Sequence, residues 1–523
     1  MDLREVLAAL EGLPQKEREA VVSEALEATK GMLFVPNPGP QMMAFHSDAD
    51  ELFYGGQAGG GKSALVCGLA ATEHTRSLIL RRQRDDAKDM AEAELLGNLF
   101  DGDRSGWNGS DLIWRGGEQL IKFGGCQMEE DKQNFKGKPY DLMAFDEVTD
   151  FLESQYIFIT IWNRSAKPGQ RSRIVATGNP PTSATGLWVI RRWAAWLDPR
   201  HPNPAKPGEL RWYLRNEHDE DTEVDGPGPH LVGGEEVYAK SRTFIPAKLS
   251  DNPDLADDGE YKRTLDALPK ELRDAYRDGK FSASLRDEAN QTIPTSWVTA
   301  AMARWKSVPP IGIPMCAIGV DVAQGGADKT VLAWRHDGWY APLIAVPGSE
   351  TPGGTDVAGL VISKRRDGCK VVIDIGGGWG GDAYAHLKVN GVDAVSYMGV
   401  KPSVRRTDDN LLKFFNIRTE AYWRFREALN PDQPGGSTIM LPDDQELLSD
   451  LTAPTYEIKR ANSGGVIQLE PKDALVKRLG RSPDKGDAVV MAWHAGAKAI
   501  TDARIWGQQH KGRPAPRVIM RKK

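Results

Sequence analysis

The sequence predicts an α/β chain of two unlike domains, and three observations predict it. Between residues 50 and 180, short apolar β-rich runs alternate with helical periodicity, the pattern of βαβ units on a largely parallel sheet. Near residue 316 a second set opens with three strand-like runs in quick succession before α and β alternate. Between the two sets lie a Pro-, Gly-, Asp- and Glu-rich stretch at 198–235, which shows no period and reads as an irregular connector or exposed loop, and a helical stretch from Glu260 to about Arg277.

Length and composition agree with this. The chain has 523 residues, enough for about three domains at roughly 150 residues each. With 40% apolar and 27% charged residues it is neither disordered nor fibrous. No window approaches about 18 uninterrupted apolar residues, so no membrane span is expected. Acids at Asp2 and Glu5 argue against a signal peptide. Cys67, Cys126, Cys316 and Cys369 are scattered without a CxxC pair, which argues against a zinc site or a disulfide framework and fits a reducing compartment. The formal net charge is -6, so affinity for nucleic acid has to come from local basic patches.

The expected boundaries are a helical segment at 1–30, a first α/β domain at 31–250, a linker or lid at 251–309, a second α/β domain at 310–500 and a flexible basic tail at 501–523. In the first domain the apolar runs at Leu52-Phe53-Tyr54, Leu78-Ile79-Leu80, Leu142-Met143-Ala144-Phe145 and Ile174-Val175-Ala176 read as buried strands. Leu112-Ile113-Trp114 and Leu120 to Phe123 suggest an inserted hairpin. In the second domain Cys316 to Val320, Thr330 to Trp334, Tyr340 to Val346 and Lys370 to Ile373 read as strands, and Val357 to Arg366 as a helix.

Gly56-Gln57-Ala58-Gly59-Gly60-Gly61-Lys62-Ser63 satisfies G-x-x-x-x-G-K-[ST] between a strand and an apolar helical run containing Leu65, Val66, Leu69 and Ala70. The glycines let backbone N–H groups curl around phosphates, and the helix N-terminus adds roughly half a positive charge. Lys62 would reach the β- and γ-phosphates of ATP, and Ser63 would hold Mg²⁺. A phosphate loop needs an acidic partner, and the apolar strand ending in Asp146-Glu147 supplies one. Asp146 would coordinate Mg²⁺ directly or through water, and Glu147 would polarise the attacking water. Thr177-Gly178-Asn179 closes the next strand. Its polar side chains either sense the γ-phosphate or serve only a turn, since Gly-Asn-Pro-Pro is itself a strong turn signal.

In the second domain Asp321 and Asp374 each close a strand, and Arg481-Ser482-Pro483-Asp484-Lys485-Gly486-Asp487 precedes an apolar helix. Converging carboxylates with no His or Cys are hard oxygen ligands suited to two Mg²⁺ or Mn²⁺ ions. Two such ions about 3.5–4 Å apart can activate a water and stabilise the leaving 3′-oxygen of a phosphodiester. The order strand acid, strand acid, helix acid is that of RNase-H-like nucleases. Asp487 falls inside the helix pattern and is the preferred third ligand, with Asp484 as the alternative; Asp328 sits in a turn.

An ATPase domain of the RecA/ASCE-like P-loop class followed by an RNase-H-like nuclease domain resembles the large terminase subunit of tailed bacteriophages. The resemblance spans roughly residues 35 to 495. Pro40-Gln41-Met42, with Phe45, looks like the family's adenine-recognising motif and carries that role onto Gln41. Thr177-Gly178-Asn179 matches its coupling motif, which favours the functional reading of Asn179. Asp251-Asn252-Pro253, Tyr261, Leu265, Leu268-Pro269 and Gly279-Lys280-Phe281 are similar to its domain-joining segment, and Arg478 to Asp484 with Asp487-Ala488 to its last nuclease motif. One departure matters: the family often has Arg in the phosphate loop where this chain has Gln57. An arginine finger would then have to come from Arg81, Arg82, Arg84 or a neighbouring subunit.

The resemblance implies a ring of subunits, a pentamer, docked on the portal protein of an empty procapsid. It also implies a small terminase subunit as partner, double-stranded DNA as substrate, and action in the cytoplasm of the infected bacterial host without retention in the virion. ATP hydrolysis would drive DNA inward and the nuclease would cut concatemers. Lys132, Lys136, Lys138, Lys401, Arg405 and Arg406 are the plausible phosphate contacts, and the basic tail is a further one to portal or DNA. The alternative is an ATP-dependent DNA helicase or repair nuclease, which needs a second RecA-like domain with helicase motifs; residues 310–500 hold none.

Overall fold

Leu52, Phe53 and Tyr54 are each fully buried, so the strand they form has to be covered on both faces, as a central strand of a parallel sheet is. A computed structural model describes residues 29–494 together with Pro14, Gln15 and Glu17, apart from 200, 218–220, 257–258, 282–286, 288–289, 324–327, 377, 408–409, 434 and 462–463. The expected basic tail and nearly all of the expected helical segment at 1–30 lie outside the described residues. The chain divides into two compact units, one of Met1–Thr182 with Trp188–Ser284 and one of Ser183–Leu187 with Leu285–Lys523. The segment expected as a linker, 251–309, is thereby shared between the two.

The strands of the first unit are β1 (Glu51–Gly56), β2 (Arg76–Arg81), β3 (Trp107–Asn108), β4 (Ile113–Gly116), β5 (Gln119–Gly125), β6 (Leu142–Phe145), β7 (Arg173–Gly178), β8 (Arg211–Arg215), β9 (Asp221–Val224), β10 (His230–Val232), β11 (Glu235–Val237) and β12 (Lys240–Ala247). Ten of them form one sheet in the order β3-β4-β5-β2-β6-β7-β1-β12-β8-β9, and β10 pairs with β11. The six from β5 to β12 in that order run parallel. Strand β7 therefore lies between the strand that enters the phosphate loop and the strand that ends before Asp146. All three finish at the same edge, where ligands of open α/β sheets bind. Leu52, Tyr54, Val66 and Leu69 pack in the core of one face, and Phe53, Leu80, Phe145 and Trp193 in the core of the other.

Two expectations change. The hairpin is present, with Gly116 opposite Gln119, but it is no separate insertion, because β5 also pairs in parallel with β2 and extends the main sheet. Residues 198–235 are not an irregular connector throughout. Strands β8 and β9 pair antiparallel at the sheet edge, and the buried Arg242 on β12 holds Asp221 through Nη1 at 2.5 Å and Nη2 at 2.9 Å. Such short edge strands draw their stability from that tertiary pairing, not from an apolar period.

The second unit has β13 (Ala317–Asp321), β14 (Lys329–His336), β15 (Trp339–Tyr340), β16 (Ile344–Pro347), β17 (Lys370–Asp374) and β18 (Ala394–Tyr397) in one mixed sheet. Strand β13 is antiparallel to β14 and parallel to β17. This is the RNase-H-like arrangement: antiparallel strands first, then parallel ones. A smaller sheet joins β19 (Lys413–Phe414), β20 (Tyr456–Ala461) and β21 (Gly464–Leu469). Among the helices, α1 (Pro40–Phe45) and α2 (Lys62–Thr72) serve the first unit; α3 (Ile417–Leu429), α4 (Gln445–Thr452), α5 (Lys472–Leu479) and α6 (Asp484–His494) serve the second. Helix α6 lies so close on β13 that a Cβ at Gly319 would stand 2.0 Å from the Ala488 carbonyl oxygen. Among the described residues no helix is long and apolar enough to cross a membrane.

Candidate active sites

The phosphate loop runs from β1 into α2 as its spacing predicts. Gly61 has φ 71°, and a Cβ there would meet Gln41 Nε2 at 2.6 Å, so only glycine fits. The amide of Gln41 grips the loop: Nε2 donates to Gly61 O at 2.8 Å, and Oε1 accepts from Asn37 N at 2.5 Å. Lys62 is buried, and its Nζ donates to Gln57 O at 2.7 Å and to Asn179 Oδ1 at 2.9 Å. Burial pulls the Lys62 pKa down, against the pull of Glu147 and Asp146.

Asp146 is fully buried, and polar partners engage both of its oxygens. Oδ1 accepts from Thr177 Oγ1 at 2.6 Å, and Oδ2 accepts from Ser63 Oγ at 3.3 Å and from Arg81 Nε at 2.7 Å. Glu147 has left-handed backbone, φ 54° and ψ 55°, a strained choice for a non-glycine residue of the kind that clusters at functional sites. Burial, followed by the charge of Asp146, pushes its carboxyl up to about 7. Asn179 donates to it from Nδ2 at 3.2 Å and from its backbone N at 3.3 Å. The structure thus brings together Gln41, Lys62, Ser63, Asp146, Glu147 and Asn179, predicted from separate stretches of the sequence. The donor set fits ATP with a hard divalent cation: loop amides and a lysine for phosphate, and a hydroxyl and a carboxylate for the metal.

The segment after β12 wraps the loop from outside. Asn252 Nδ2 donates to Gly59 O at 2.9 Å, Leu249 N donates to Gln57 Oε1 at 2.9 Å, and Ala58 N donates to Tyr276 O at 2.8 Å. Asn252 belongs to a stretch the sequence marks only as joining.

In the second unit Val320 stands opposite Ile373 on parallel strands, so Asp321 and Asp374 leave the sheet side by side. Asp484 and Asp487 both sit in the first turn of α6. All four line one cleft of about 770 Å³, together with Arg418 and Lys472. Asp487 Oδ1 accepts from Tyr422 OH at 2.7 Å and lies 3.7 Å from Arg418 Nε; its Oδ2 lies 2.9 Å from Lys472 Nζ. Lys472 Nζ is also 3.9 Å from Asp321 Oδ2, which accepts no hydrogen bond. Burial drives the Asp321 pKa far up; Lys472 opposes this, and Asp484, Asp487 and Asp374 add to it. Burial also raises Asp374 and Asp484. At Asp487 burial acts upward too, but Lys472 and Arg418 outweigh it and hold the carboxyl below its ordinary value.

Among the described residues no three carboxylate, imidazole or thiol groups converge tightly enough to hold a metal ion as they stand. The Lys472 ammonium lies among the carboxylates where a cation belongs. The chemistry still fits a hard divalent ion: oxygen donors only, mutual repulsion, and a buried Asp321 oxygen without a donor. Sequence reasoning missed Lys472 and Tyr422, whose local sequence carries no signal for the site. Of the basic residues expected to meet DNA, Lys132 pairs with Glu129, Lys138 donates to Asn134 O at 2.7 Å and Arg405 lies 3.5 Å from Glu420.

Residues 62–300 match the family model described as terminase large subunit, T4likevirus-type, N-terminal. That stretch, somewhat under half of the chain, is similar to the N-terminal part of terminase large subunits. A search of curated proteins found no match. Among solved structures, the large terminase of a thermophilic bacteriophage is 13% identical over 87% of this chain and 98% of its own, with a TM-score of 0.32. The HK97 bacteriophage large terminase is 11% identical over 86% of this chain and 91% of its own, at 0.31. The nuclease domain of the large terminase subunit gp2 of bacterial virus Sf6 is 22% identical over 40% of this chain and 100% of its own, also at 0.31. Superpositions this loose carry no weight beside the terminase domain match and the geometry above.

Proposed function

We propose that this chain is a terminase large subunit, the ATP-hydrolysing motor that drives double-stranded DNA into a procapsid, and that its second unit is the metal-dependent endonuclease that cuts concatemeric DNA. The observation that carries the reading is the pairing of two chemically distinct sites in one chain: a phosphate loop with its acidic strand, and four aspartates gathered in a separate cleft. In the first, Lys62 and the loop amides would bind the phosphates, Ser63 and Asp146 would hold Mg²⁺, and Glu147 would take the proton of the attacking water. Gln41 borders the loop as an adenine reader would, and Asn179 ties Lys62 to Glu147. In the second, Asp321, Asp374 and Asp487, with Asp484 beside them, would hold Mg²⁺ or Mn²⁺, which supplies an activated water and stabilises the leaving 3′-oxygen.

Asp321 and Asp374 are positioned by strand register, and Asp487 by Tyr422 and by the packing of α6 on β13. The implied partners are a portal protein, a small terminase subunit and further copies of this chain in a ring, acting in the host cytoplasm. Grip on DNA would be electrostatic and sequence-independent, and hence sensitive to salt. The helicase alternative is not favoured, since the second unit's sheet opens with antiparallel strands and repeats nothing of the first unit's parallel core.

Plasmid cleavage with Mg²⁺ or Mn²⁺, comparing the wild type with Asp321→Asn while ATP turnover is followed in the same samples, tests the reading. Loss of cutting with ATP turnover retained supports two separable sites. A variant that cuts like the wild type overturns the nuclease assignment.

A further inference from the structure

Gln57 occupies the loop position where a phosphate-loop arginine would stabilise charge on the transferring phosphoryl group. Its side-chain oxygen accepts from Leu249 N at 2.9 Å, so it clamps the following segment and supplies no positive charge. Three arginines follow on and after β2, and their partners separate them. Arg82 Nη1 is committed to Cys126 O at 3.1 Å and Gln155 Oε1 at 2.5 Å. Arg84 Nη2 donates to Ser110 O at 2.5 Å. Arg81 alone of the three turns into the nucleotide site: Nε and Nη2 both lie 2.7 Å from Asp146 Oδ2. That oxygen is also the one that Ser63 Oγ reaches, at 3.3 Å. Asp146 Oδ1 is taken by Thr177, so a divalent cation bound between Ser63 and Asp146 and the Arg81 guanidinium compete for a single oxygen.

We propose that Arg81 is the catalytic arginine of the ATPase, supplied by the same chain and released from Asp146 to the terminal phosphate when the metal–nucleotide complex binds. This rests on the ATPase reading above. In hydrolysis the water oxygen bonds to the terminal phosphorus as the bond to the bridging oxygen breaks. The electron pair stays on ADP, and the water proton passes to Glu147. Arg81 makes no covalent bond; its planar fork neutralises charge on the oxygens of the transferring group, for which arginine geometry is suited. The arrangement also explains how the loop tolerates Gln57: the charge comes from the end of β2, across β6 and β7 from the strand that enters the loop.

The test uses the full chain with Arg81→Ala, Arg81→Lys and, as control, Lys62→Ala. Three quantities are measured: ATP turnover, the Kd of a fluorescent ADP analogue, and retention of labelled ADP with aluminium fluoride, which mimics the transferring group. The expected result for Arg81→Ala is a fall in kcat of about 10³-fold or more, with ADP affinity within about threefold and aluminium-fluoride-dependent retention lost. Arg81→Lys restores little, because a lysine cannot offer two parallel donors. Turnover within about threefold of wild type, unchanged retention, or an ADP affinity that falls in step with kcat overturns the proposal. Rescue of Arg81→Ala by added Lys62→Ala chains moves the arginine to a neighbouring subunit and overturns same-chain supply. If Lys62→Ala hydrolyses ATP like the wild type, the ATPase reading itself falls, which the control separates from failure of Arg81 alone.

Discussion

Lys62 Nζ and Asn179 Oδ1 lie 2.9 Å apart, joining the phosphate loop to the end of β7. The same amide donates from Nδ2 to Glu147 at 3.2 Å, so one side chain touches both the lysine of the phosphate loop and the proposed base. The pattern of partners fixes the amide orientation, because only oxygen can accept from an ammonium and only NH₂ can donate to a carboxylate. Asn179→Ala is expected to lower kcat for ATP by about 10²-fold, the usual cost of one lost preorganised partner, while changing nucleotide affinity little. Steady-state turnover alongside ADP binding checks this; equal loss in both would make Asn179 a binding residue only.

Tyr422 holds Asp487, the one of the four cleft aspartates whose carboxyl is pulled below its ordinary value, by Lys472 and Arg418. Its hydroxyl donates to Asp487 Oδ1 at 2.7 Å, while Oδ2 lies 2.9 Å from Lys472 Nζ, which lines the same cleft. Tyr422→Phe keeps the ring and removes only the hydroxyl, which also interacts with Arg418. Loss of such an outer partner typically costs about 10- to 100-fold in metal affinity. Calorimetric Mn²⁺ binding and the Mn²⁺ dependence of plasmid cutting should both shift by roughly this amount, with ATP turnover unmoved. Unchanged Mn²⁺ affinity would remove Asp487 from the ligand set.

Gly319→Ala is expected to be destabilising well beyond the usual single methyl. The new Cβ would stand 2.0 Å from Ala488 O and 2.8 Å from Ala492 N, both backbone atoms of α6. Overpacking of this kind costs about 1–3 kcal/mol. It also displaces the helix that presents Asp487, so cleavage should fall with stability. Denaturant unfolding of the full chain, read with a probe in the second unit, decides it; an unchanged midpoint would mean that α6 gives way freely.

His74 is expected to make the first unit sensitive to mild acid. Burial lowers its pKa, partly offset by Asp141, whose Oδ1 lies 3.1 Å from Nδ1. Arg173 Nε donates to Nε2 at 3.1 Å, so the ring has to be neutral with its proton on Nδ1. The unfolded chain binds the proton at about pH 6.5 and the folded chain only lower. Stability should therefore fall as pH drops below about 6.5. Thermal unfolding between pH 7.5 and 5.5 should show a steeper loss for the wild type than for His74→Gln. Parallel curves would argue against the buried neutral histidine.

Much of the first site was legible because its chemistry is local. The phosphate loop, its lysine and serine, and the acids after an apolar strand are contiguous motifs, and backbone geometry dictates their spacing. The hairpin was legible as well, but not its place in the sheet, since period and turn residues say nothing about which edge a strand joins. Residues 211–215 and 221–224 were unreadable as strands because edge strands carry no apolar period, and what holds Asp221 is Arg242, two strands away.

Local residue patterns were enough to read two α/β domains of different type, the phosphate loop with Asp146 and Glu147, and three strand-end or helix-start acids in order along the chain. Those features follow from residues close together in the chain, where steric and periodic rules act. Tertiary structure alone decided that Arg81, and neither Arg82 nor Arg84, turns to Asp146, and that Lys472 and Tyr422 share Asp487. Such choices depend on which side chains the strand order and helix packing bring within a few ångströms, and no local pattern encodes a distance across a sheet.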